Sequence, residues 1–427
     1  MAMKESGIEW VGLIPDDWKI AKNNRLFNIS KQLVNENWKN TQLLSLTKSG
    51  IIEKNINDGG GKQPESFGTY QYVEKDDIVL CLFDIDVSAV FSDRSKYDGM
   101  ISPAYRVMKC TDAILPVYAK WWFDAVNIGR YYLIYTKSLR KTIDADGFGN
   151  ILTVVPPLSE QQAIADYLDE TCSKIDEIIA EAKASIDEYK ELKQSVIFEA
   201  VTKGLDKNVE MKDSGYDFIG DIPSKWEMCK VRHLGTAQNG ISIGGDAFGS
   251  GYSFVSYGDV YKNYSLPKTV DKLVRSSEED RKRYSVEKGD WFFTRTSETI
   301  EEVGFSCVCE ETIPDAVFAG FLIRVRPFNN RIYTRFAKYY FRSNHLRTFF
   351  VKEMNLVTRA SLAQGLLKDA PVVVPPYDEQ IEIANYLENK CTIIDGVIKD
   401  KESTINDLEA YKKSLIYEVV TGKRRVV

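Results

Sequence analysis

The chain carries its own framework twice. The stretch Pro156-Pro157-Leu158-Ser159-Glu160-Gln161-Gln162-Ala163-Ile164-Ala165-Asp166-Tyr167-Leu168 returns as Pro375-Pro376-Tyr377-Asp378-Glu379-Gln380-Ile381-Glu382-Ile383-Ala384-Asn385-Tyr386-Leu387. Both copies run on to matching ends, Glu199-Ala200-Val201-Thr202 and Glu418-Val419-Val420-Thr421. A leading segment repeats as well: Ser6-Gly7-Ile8-Glu9-Trp10-Val11-Gly12-Leu13-Ile14-Pro15 with Trp18, then Ser214-Gly215-Tyr216-Asp217-Phe218-Ile219-Gly220-Asp221-Ile222-Pro223 with Trp226. A chain ordered A-B-A′-B′ gives each part a pseudo-twofold partner. Such a frame suits a ligand that also comes in two related halves, and duplex DNA is the first candidate.

The B segments read as long helices. Apolar positions step by four and three through Leu168, Cys172, Ile175, Ile179, Ala182, Ile186 and Tyr189, and the second copy keeps the same steps through Leu387, Cys391, Ile394, Ile398, Lys401, Ile405 and Leu408. A heptad seam of this length predicts a coiled coil. Each run starts after Pro-Pro, with Ser159 or Asp378 as the expected N-cap and Ser159 with Gln162 as a capping box. Gly204 and Gly422 supply the stops. Each helix would be roughly 65 Å long, and one copy is the natural antiparallel partner for the other. Cys172 and Cys391 then fall on the seam as packing residues.

Outside the helices the period shortens to that of strands. Tyr252–Tyr257, Trp291–Thr294 and Phe321–Val325 are short aromatic or β-branched runs bounded by turn residues, as are Ile78–Leu82 and Ala104–Met108. A helical stretch rich in aromatics and bases precedes each Pro-Pro, Tyr118–Tyr135 and Thr334–Phe350. The two A segments match at their beginnings and ends but hardly between. A shared frame with different interiors suggests two domains that recognise different things.

Composition narrows the class. A hydrophobic fraction of 44% and a charged fraction of 28% are those of an ordinary globular chain. No apolar run approaches the ~20 residues of a membrane span, and Met1–Ser6 lacks the apolar core of a signal peptide. Seven cysteines without a C-x-x-C pair suggest reduced thiols in a cytosol. With only His233 and His345, a histidine-built metal or catalytic centre is not expected. The net charge of −6 is concentrated in residues 156–210, whereas segments 1–155 and 211–374 are neutral to mildly basic. Overall acidity therefore does not exclude a DNA-binding face.

The tandem V-P-P-x-x-E-Q helices, together with Gly12-Leu13-Ile14-Pro15-Asp16-Asp17-Trp18 and Gly220-Asp221-Ile222-Pro223-Ser224-Lys225-Trp226, resemble the conserved regions of type I restriction–modification specificity subunits. Phe254-Val255-Ser256-Tyr257-Gly258-Asp259-Val260 and Lys288-Gly289-Asp290-Trp291-Phe292-Phe293-Thr294-Arg295-Thr296 are similar to phrases of that family's target-recognition domains. The first domain departs: its counterpart reads Glu74-Lys75-Asp76-Asp77-Ile78-Val79-Leu80, without the glycine or the Thr-Arg-Thr. The resemblance implies an α+β architecture. Two mixed α/β target-recognition domains, 1–155 and 211–374, would be separated by two long helices, 156–210 and 375–427, forming an antiparallel coiled coil with a pseudo-twofold internal repeat. It also implies a DNA-reading subunit without chemistry of its own, in the cytoplasm of a prokaryote. Each domain would read half of a bipartite duplex target, and the helix pair would set the spacing. That pair would also dock two modification subunits, which bring S-adenosylmethionine and flip out the target adenine. Optional restriction subunits would bring ATP and Mg.

No catalytic or metal-binding residue emerges from the chain itself. Val374-Pro375-Pro376-Tyr377 carries valine where amino-methyltransferases place Asn or Asp, so it reads as a strand-to-helix breaker. Gly59-Gly60-Gly61-Lys62 and Gly244-Gly245-Asp246-Ala247-Phe248-Gly249 lack the order of phosphate-binding loops and read as plain loops. The DNA-contact candidates are Arg295, Thr296 and Ser297 beyond a strand end, and the basic cluster Lys137, Ser138, Arg140 and Lys141. Arg359 and Ser361 lie before the second Pro-Pro, with Arg342 and Arg347 on the helix upstream. Two competing readings remain: a recognition subunit of a related methylation-based defence system without a restriction partner, and a coiled-coil interaction scaffold. No transferable code links such loops to a base sequence.

Overall fold

The computed structural model describes residues 2–47, 49–56, 66–86, 92–136, 141–297, 303–353 and 360–426. The chain forms two compact units, Met1–Lys183 with Glu402–Val427, and Ala184–Lys401. We call them unit 1 and unit 2. Two long helices, α1 (Leu158–Lys203) and α2 (Tyr377–Val420), each contribute one half to each unit.

The centre of each unit is a four-stranded antiparallel sheet. In unit 1 it comprises β1 (Phe27–Ser30), β2 (Ile78–Leu80), β3 (Ser92–Arg94) and β4 (Arg106–Cys110), in the order β1-β4-β2-β3. In unit 2 it comprises β5 (Gly235–Asn239), β6 (Trp291–Thr294), β7 (Ser306–Val308) and β8 (Leu322–Pro327), in the order β5-β8-β6-β7. The two orders are the same permutation, so the repeat extends into segments whose sequences no longer match. The central strands Ile78-Val79-Leu80 and Trp291-Phe292-Phe293-Thr294 are fully buried, which accounts for their continuous apolar runs. A second small sheet in each unit contains one parallel pairing, Met100 with Leu43 and Phe254 with Val317.

The turn before β2 and β6 has the same geometry with different chemistry. Asp77 accepts from the Glu74 N–H at 2.9 Å, and Asp290 from the Glu287 N–H at 2.8 Å. The position between needs a left-handed backbone: Gly289 lies at φ +94°, and unit 1 places Asp76 there at φ +73°. Aspartate is among the few L-residues that tolerate this region.

The helices begin directly after the prolines, at Leu158 and Tyr377, two positions earlier than the expected N-caps imply. Ser159 is therefore inside the first turn rather than its N-cap, and Gln162 donates forward to Asp166 at 2.7 Å instead of closing a capping box. The next glutamine does the anchoring. Gln161 donates to the Pro156 carbonyl at 2.9 Å and accepts from the Leu115 N–H at 2.7 Å. Gln380 repeats this with the Pro375 carbonyl at 2.9 Å and the Tyr333 N–H at 2.7 Å.

Most of the heptad seam is buried. Leu168, Ile175, Ile179, Ile186, Leu387, Ile394 and Ile405 are buried, while Ile398 and Leu408 are half-buried. Cys172 and Cys391 sit on it, and burial pushes each thiol up to about 11, which keeps both protonated and unreactive. The helix halves run antiparallel within each unit. In unit 1 Lys412 pairs with Asp176 at 2.6 Å and Glu409 with Lys183 at 3.9 Å. In unit 2 Lys193 pairs with Asp395 at 2.7 Å, and the Lys401 ammonium lies over the Tyr189 ring. Lys193–Asp395 and Lys412–Asp176 are the same contact in the two copies. The stops behave as read, with Gly204 at φ +79° and Gly422 at φ +72°.

The aromatic, basic stretches are each broken in two. Pro116–Gly129 ends on Arg130 in the left-handed conformation before a 3-10 turn at Tyr131–Tyr135. Thr334–Tyr340 is separated from Asn344–Glu353 by Ser343 and its neighbours. The helix after the break packs His345 against Phe198 of α1 and against Tyr340 at the end of the helix before it.

Candidate nucleic-acid interface

One anchor recurs in both units. The Trp18 indole donates to Glu160 Oε2 at 3.0 Å, and the Trp226 indole donates to Glu379 Oε2 at 2.8 Å. Both tryptophans are 1% exposed, so their N–H groups need this partner. The paired Glu and Gln of the Pro-Pro motif thus tie the first turn of a long helix to the leading segment and to the pre-helical loop. Tyr118 and Tyr340, fully buried, hydrogen-bond the strand that feeds each Pro-Pro, at Val154 and at Pro371 and Val373. Residues Val374–Tyr377 are the end of that strand and the start of α2, in keeping with a breaker. Gly245–Ala247 is a short 3-10 turn; Gly59–Lys62 lies outside the described residues.

Beyond β6 the chain continues through Arg295 into the short strand Thr296–Ser297, which pairs with Ala360–Ser361. The Arg295 N–H donates to Phe321 at 2.9 Å and its carbonyl accepts from the Leu362 N–H at 2.7 Å. The structure therefore brings Arg295, Thr296 and Ser361 together, although Ser361 is distant in sequence. Arg295 is half-buried, and its guanidinium forms no ion pair with any described residue. Arg359 lies outside the described residues.

Three neighbours of this edge escaped the sequence reading. Phe321 is 64% exposed beside the Arg295 backbone. Asn239 ends β5, and its side-chain amide lies 2.8 Å from that of Gln364. Amides of this kind pair with adenine, and a guanidinium with guanine. Their only sequence signal was a polar end to an otherwise ordinary strand. The close approach of the Gly240–Ser242 loop to the Phe318–Gly320 turn requires glycine at 240, where a Cβ would sit 2.2 Å from the Ala319 carbonyl.

Arg342 and Arg347 are elsewhere. The Arg342 guanidinium donates to the carbonyls of Ser306 at 2.9 Å, Tyr261 at 2.6 Å and Val260 at 3.3 Å, and it lies 4.3 Å from the Phe305 ring. Arg347 lies over the same ring at 4.4 Å. Arg342 is thus a packing residue that satisfies three backbone acceptors. A helix rich in bases gives no hint of which arginine turns inward.

The equivalent edge of unit 1 is chemically different. The Ile143 N–H donates to the Leu82 carbonyl at 2.9 Å, matching the Leu362–Arg295 bond. Leu82-Phe83-Asp84 therefore stand where unit 2 has Arg295-Thr296-Ser297. Phe83 stacks on Tyr105, with centroids 6.0 Å apart. Lys141 is exposed at φ +46°, its carbonyl accepting from the Ile85 N–H at 3.3 Å. Lys137, Ser138 and Arg140 lie outside the described residues.

Among the described residues no group of histidine, cysteine and carboxylate side chains could hold a metal ion, and no helix is long and apolar enough to cross a membrane. Cys307 and Cys309 are buried; burial pushes the Cys309 thiol up to about 12 and that of Cys307 higher still. Neither is a nucleophile near neutral pH.

Comparison with known proteins meets this geometry. Residues 223–406 match the family described as the type I restriction modification DNA specificity domain. The chain is similar to the type I restriction enzyme EcoBI specificity subunit of Escherichia coli, 24% identical over 284 residues, covering 64% of this chain and 58% of that protein. The EcoKI specificity subunit of Escherichia coli strain K12 is 22% identical over 285 residues, covering 63% and 57%. The MjaVIII specificity subunit of Methanocaldococcus jannaschii is 22% identical over 309 residues, covering 69% and 70%. The match thus spans less than two thirds of the length of the two Escherichia coli relatives. The fold is that of a chain from a study of type I R-M complex assembly and conformational transition, with a TM-score of 0.73 at 14% identity over 96% of this chain and 99% of that one. The HsdS subunit of Thermoanaerobacter tengcongensis superposes with a TM-score of 0.52 at 13% identity, covering 96% and 98%.

Proposed function

We propose, from the match of residues 223–406 to the type I restriction modification DNA specificity domain, that this chain is the DNA-recognition subunit of a type I restriction–modification complex. Each unit reads one half of a bipartite duplex target, and the two long helices fix the gap between the halves. The observation that carries this reading is the contrast at one edge of one scaffold. The same strand order and the same Trp-Glu-Gln anchor hold Arg295, Thr296, Asn239 and Gln364 in unit 2, but Leu82, Phe83 and Lys141 in unit 1. A guanidinium and side-chain amides discriminate base edges, while lysines and hydroxyls hold phosphates. Lys137, Ser138, Arg140, Arg359, Ser297 and Ser361 belong to this proposed contact set; Arg342 does not.

The chain contributes no bond-making step. Its partners are two modification subunits that carry S-adenosylmethionine and, where present, restriction subunits that use ATP and Mg. The complex works in the cytoplasm of a prokaryote.

The test is to reconstitute the chain with its modification subunit and map methylated adenines in DNA. A two-part motif with a constant gap supports the proposal. A single uninterrupted motif, or no sequence-dependent binding by the complex, overturns it.

A further inference from the structure

The anchors of the two units differ in one respect. In unit 1 the Glu160 carboxylate is used at both oxygens: Oε2 accepts from the Trp18 indole at 3.0 Å, and Oε1 accepts from the Arg425 guanidinium at 2.7 Å. The same guanidinium pairs with Asp17 at 2.6 Å. An arginine side chain therefore fills the space beside Trp18, three residues past the helix-stop Gly422. In unit 2 the equivalent Glu379 uses Oε2 for the Trp226 indole, and Oε1 has no partner among the described residues.

Glu379 lines a cavity of about 430 Å³. Trp226, Pro223 and Gly204 form its walls, as Trp18, Pro15 and Gly422 surround the counterpart in unit 1. Four carboxylates line it, Asp206, Glu210, Glu379 and Glu382. Of the two lysines there, Lys203 is already committed to the carbonyls of Ile219 and Asp221, and Lys225 stands where unit 1 has Asp17. Lys207, three residues past Gly204, is exposed and does not line the cavity.

We propose that this cavity is a receptor for an arginine side chain of a partner protein, received at Glu379 Oε1 as Arg425 is received at Glu160. The internal copy points to the ligand: in unit 1 the glutamate on the first turn after Pro-Pro, oriented by its tryptophan, binds together with Asp17 the guanidinium of this chain's own Arg425. A planar fork donating to a carboxylate already oriented by an indole gives the geometric selectivity that an ammonium lacks. The volume exceeds that of a guanidinium and leaves room for the aliphatic stem. The inference does not depend on DNA recognition.

The full chain, labelled with ¹⁵N at its tryptophan indoles, is titrated with N-acetyl-argininamide and, as a neutral isostere, N-acetyl-citrullinamide. The Trp226 indole resonance is expected to move saturably with the arginine probe, at about tenfold lower concentration than with the citrulline probe. E379Q, which keeps an acceptor for the indole but removes the charge, should lose that preference. The Trp18 resonance should stay fixed in the wild type and begin to respond in R425A, which vacates the unit 1 site without touching unit 2. A Trp226 resonance that ignores the arginine probe, or follows both probes equally, overturns the proposal. So does an R425A protein in which Trp18 remains unresponsive.

Discussion

Unit 1 and unit 2 share strand order, anchor and helix stop, yet they differ wherever a ligand could be touched. The edge after β6 carries Arg295 and Thr296, and the edge after β2 carries Leu82 and Phe83. The turn before these strands uses Gly289 in one and Asp76 in the other at the same left-handed geometry. Even the charge on the neighbouring strand is kept in kind: Arg326 pairs with Glu287 and Asp290, and Lys109 with Glu74. What is held constant is backbone course and buried hydrogen bonding. What varies is the side chains beyond the strand ends. This division is what the proposed pair of half-site readers would require, since packing tolerates few changes while exposed strand ends tolerate many.

The helix stops offer the largest lever on this comparison. A Cβ at Gly422 would sit 2.4 Å from Pro15 Cδ, whereas one at Gly204 would meet Trp226 at 3.1 Å. Both positions have positive φ, so alanine costs about 1–2 kcal/mol at either, and the clash with a stiff proline ring adds to it at 422. Gly422→Ala should destabilise unit 1 by about 3 kcal/mol and Gly204→Ala should destabilise unit 2 by about half that. Hydrogen exchange resolved by peptide assigns the loss to a unit. Equal losses would show that the two closures are not built with different tightness.

The strand-end contrast is tested next. Arg295→Ala should cost about 1–3 kcal/mol of DNA affinity in the reconstituted complex and relax one base position in the methylated motif. Leu82→Ala at the equivalent place should leave that half of the motif intact. If Arg295→Ala changes neither affinity nor motif, the unit 2 reading edge is elsewhere.

Much of this frame was legible in the sequence because it is written in local patterns. The heptad from Leu168 to Ile186, the Pro-Pro breaks and Gly204 and Gly422 each depend on neighbours a turn away. The roles of Glu160 and Gln161 were not legible, since their partners are Trp18 and Leu115, far along the chain. Nor was the closure of unit 1 by the far end of α2, where Tyr417 donates to the Trp10 carbonyl at 3.0 Å and its ring lies tilted against Tyr131. Ser159 illustrates the opposite failure: a sound capping pattern falls inside the first turn, because the helix already starts at Leu158. Arg342 belongs to the same class, a charge whose acceptors are backbone carbonyls that leave no mark in sequence.

Acid should separate the units in stability. Both histidines belong to unit 2. His345 is 4% exposed, its Nδ1 bonded to Ser343 at 2.7 Å, and its Nε2 has no partner among the described residues. Burial in this apolar niche pushes it down to about 3. The unfolded chain then binds a proton that the folded one refuses, so stability is complete above about pH 6.5 and falls as pH drops towards 3. At pH 5 the loss is on the order of 2 kcal/mol. In unit 1, burial raises the carboxyls of Asp124 and Asp77, which work against acid loss rather than for it. Unit 2 should therefore open first on acidification, by hydrogen exchange, and His345→Gln should flatten its pH dependence. If both units weaken in step, His345 does not govern the difference.

The smallest effect concerns an ion pair between the helices that the repeat reproduces. Lys193–Asp395 in unit 2 and Lys412–Asp176 in unit 1 both span 2.6–2.7 Å. Their lysines occupy seam positions, where an ammonium on a long stem can cover apolar neighbours while its head reaches a carboxylate. The aspartates are more than half exposed, 54% and 60%, so solvent screens each pair and about 0.5–1 kcal/mol is the ceiling for either. The lysines differ more: Lys193 is 13% exposed and Lys412 26%. A double-mutant cycle should give the Lys193 pair the larger coupling, by a few tenths of a kcal/mol, and raising the salt to 1 M should shrink the Lys412 pair more. A polar residue on an apolar seam also fixes register. Replacing both lysines with leucine should therefore stabilise the helices while loosening their alignment, seen as a broadened gap in the methylated motif. A motif whose gap stays single in the double leucine variant would assign register to the anchors at Trp18 and Trp226 instead.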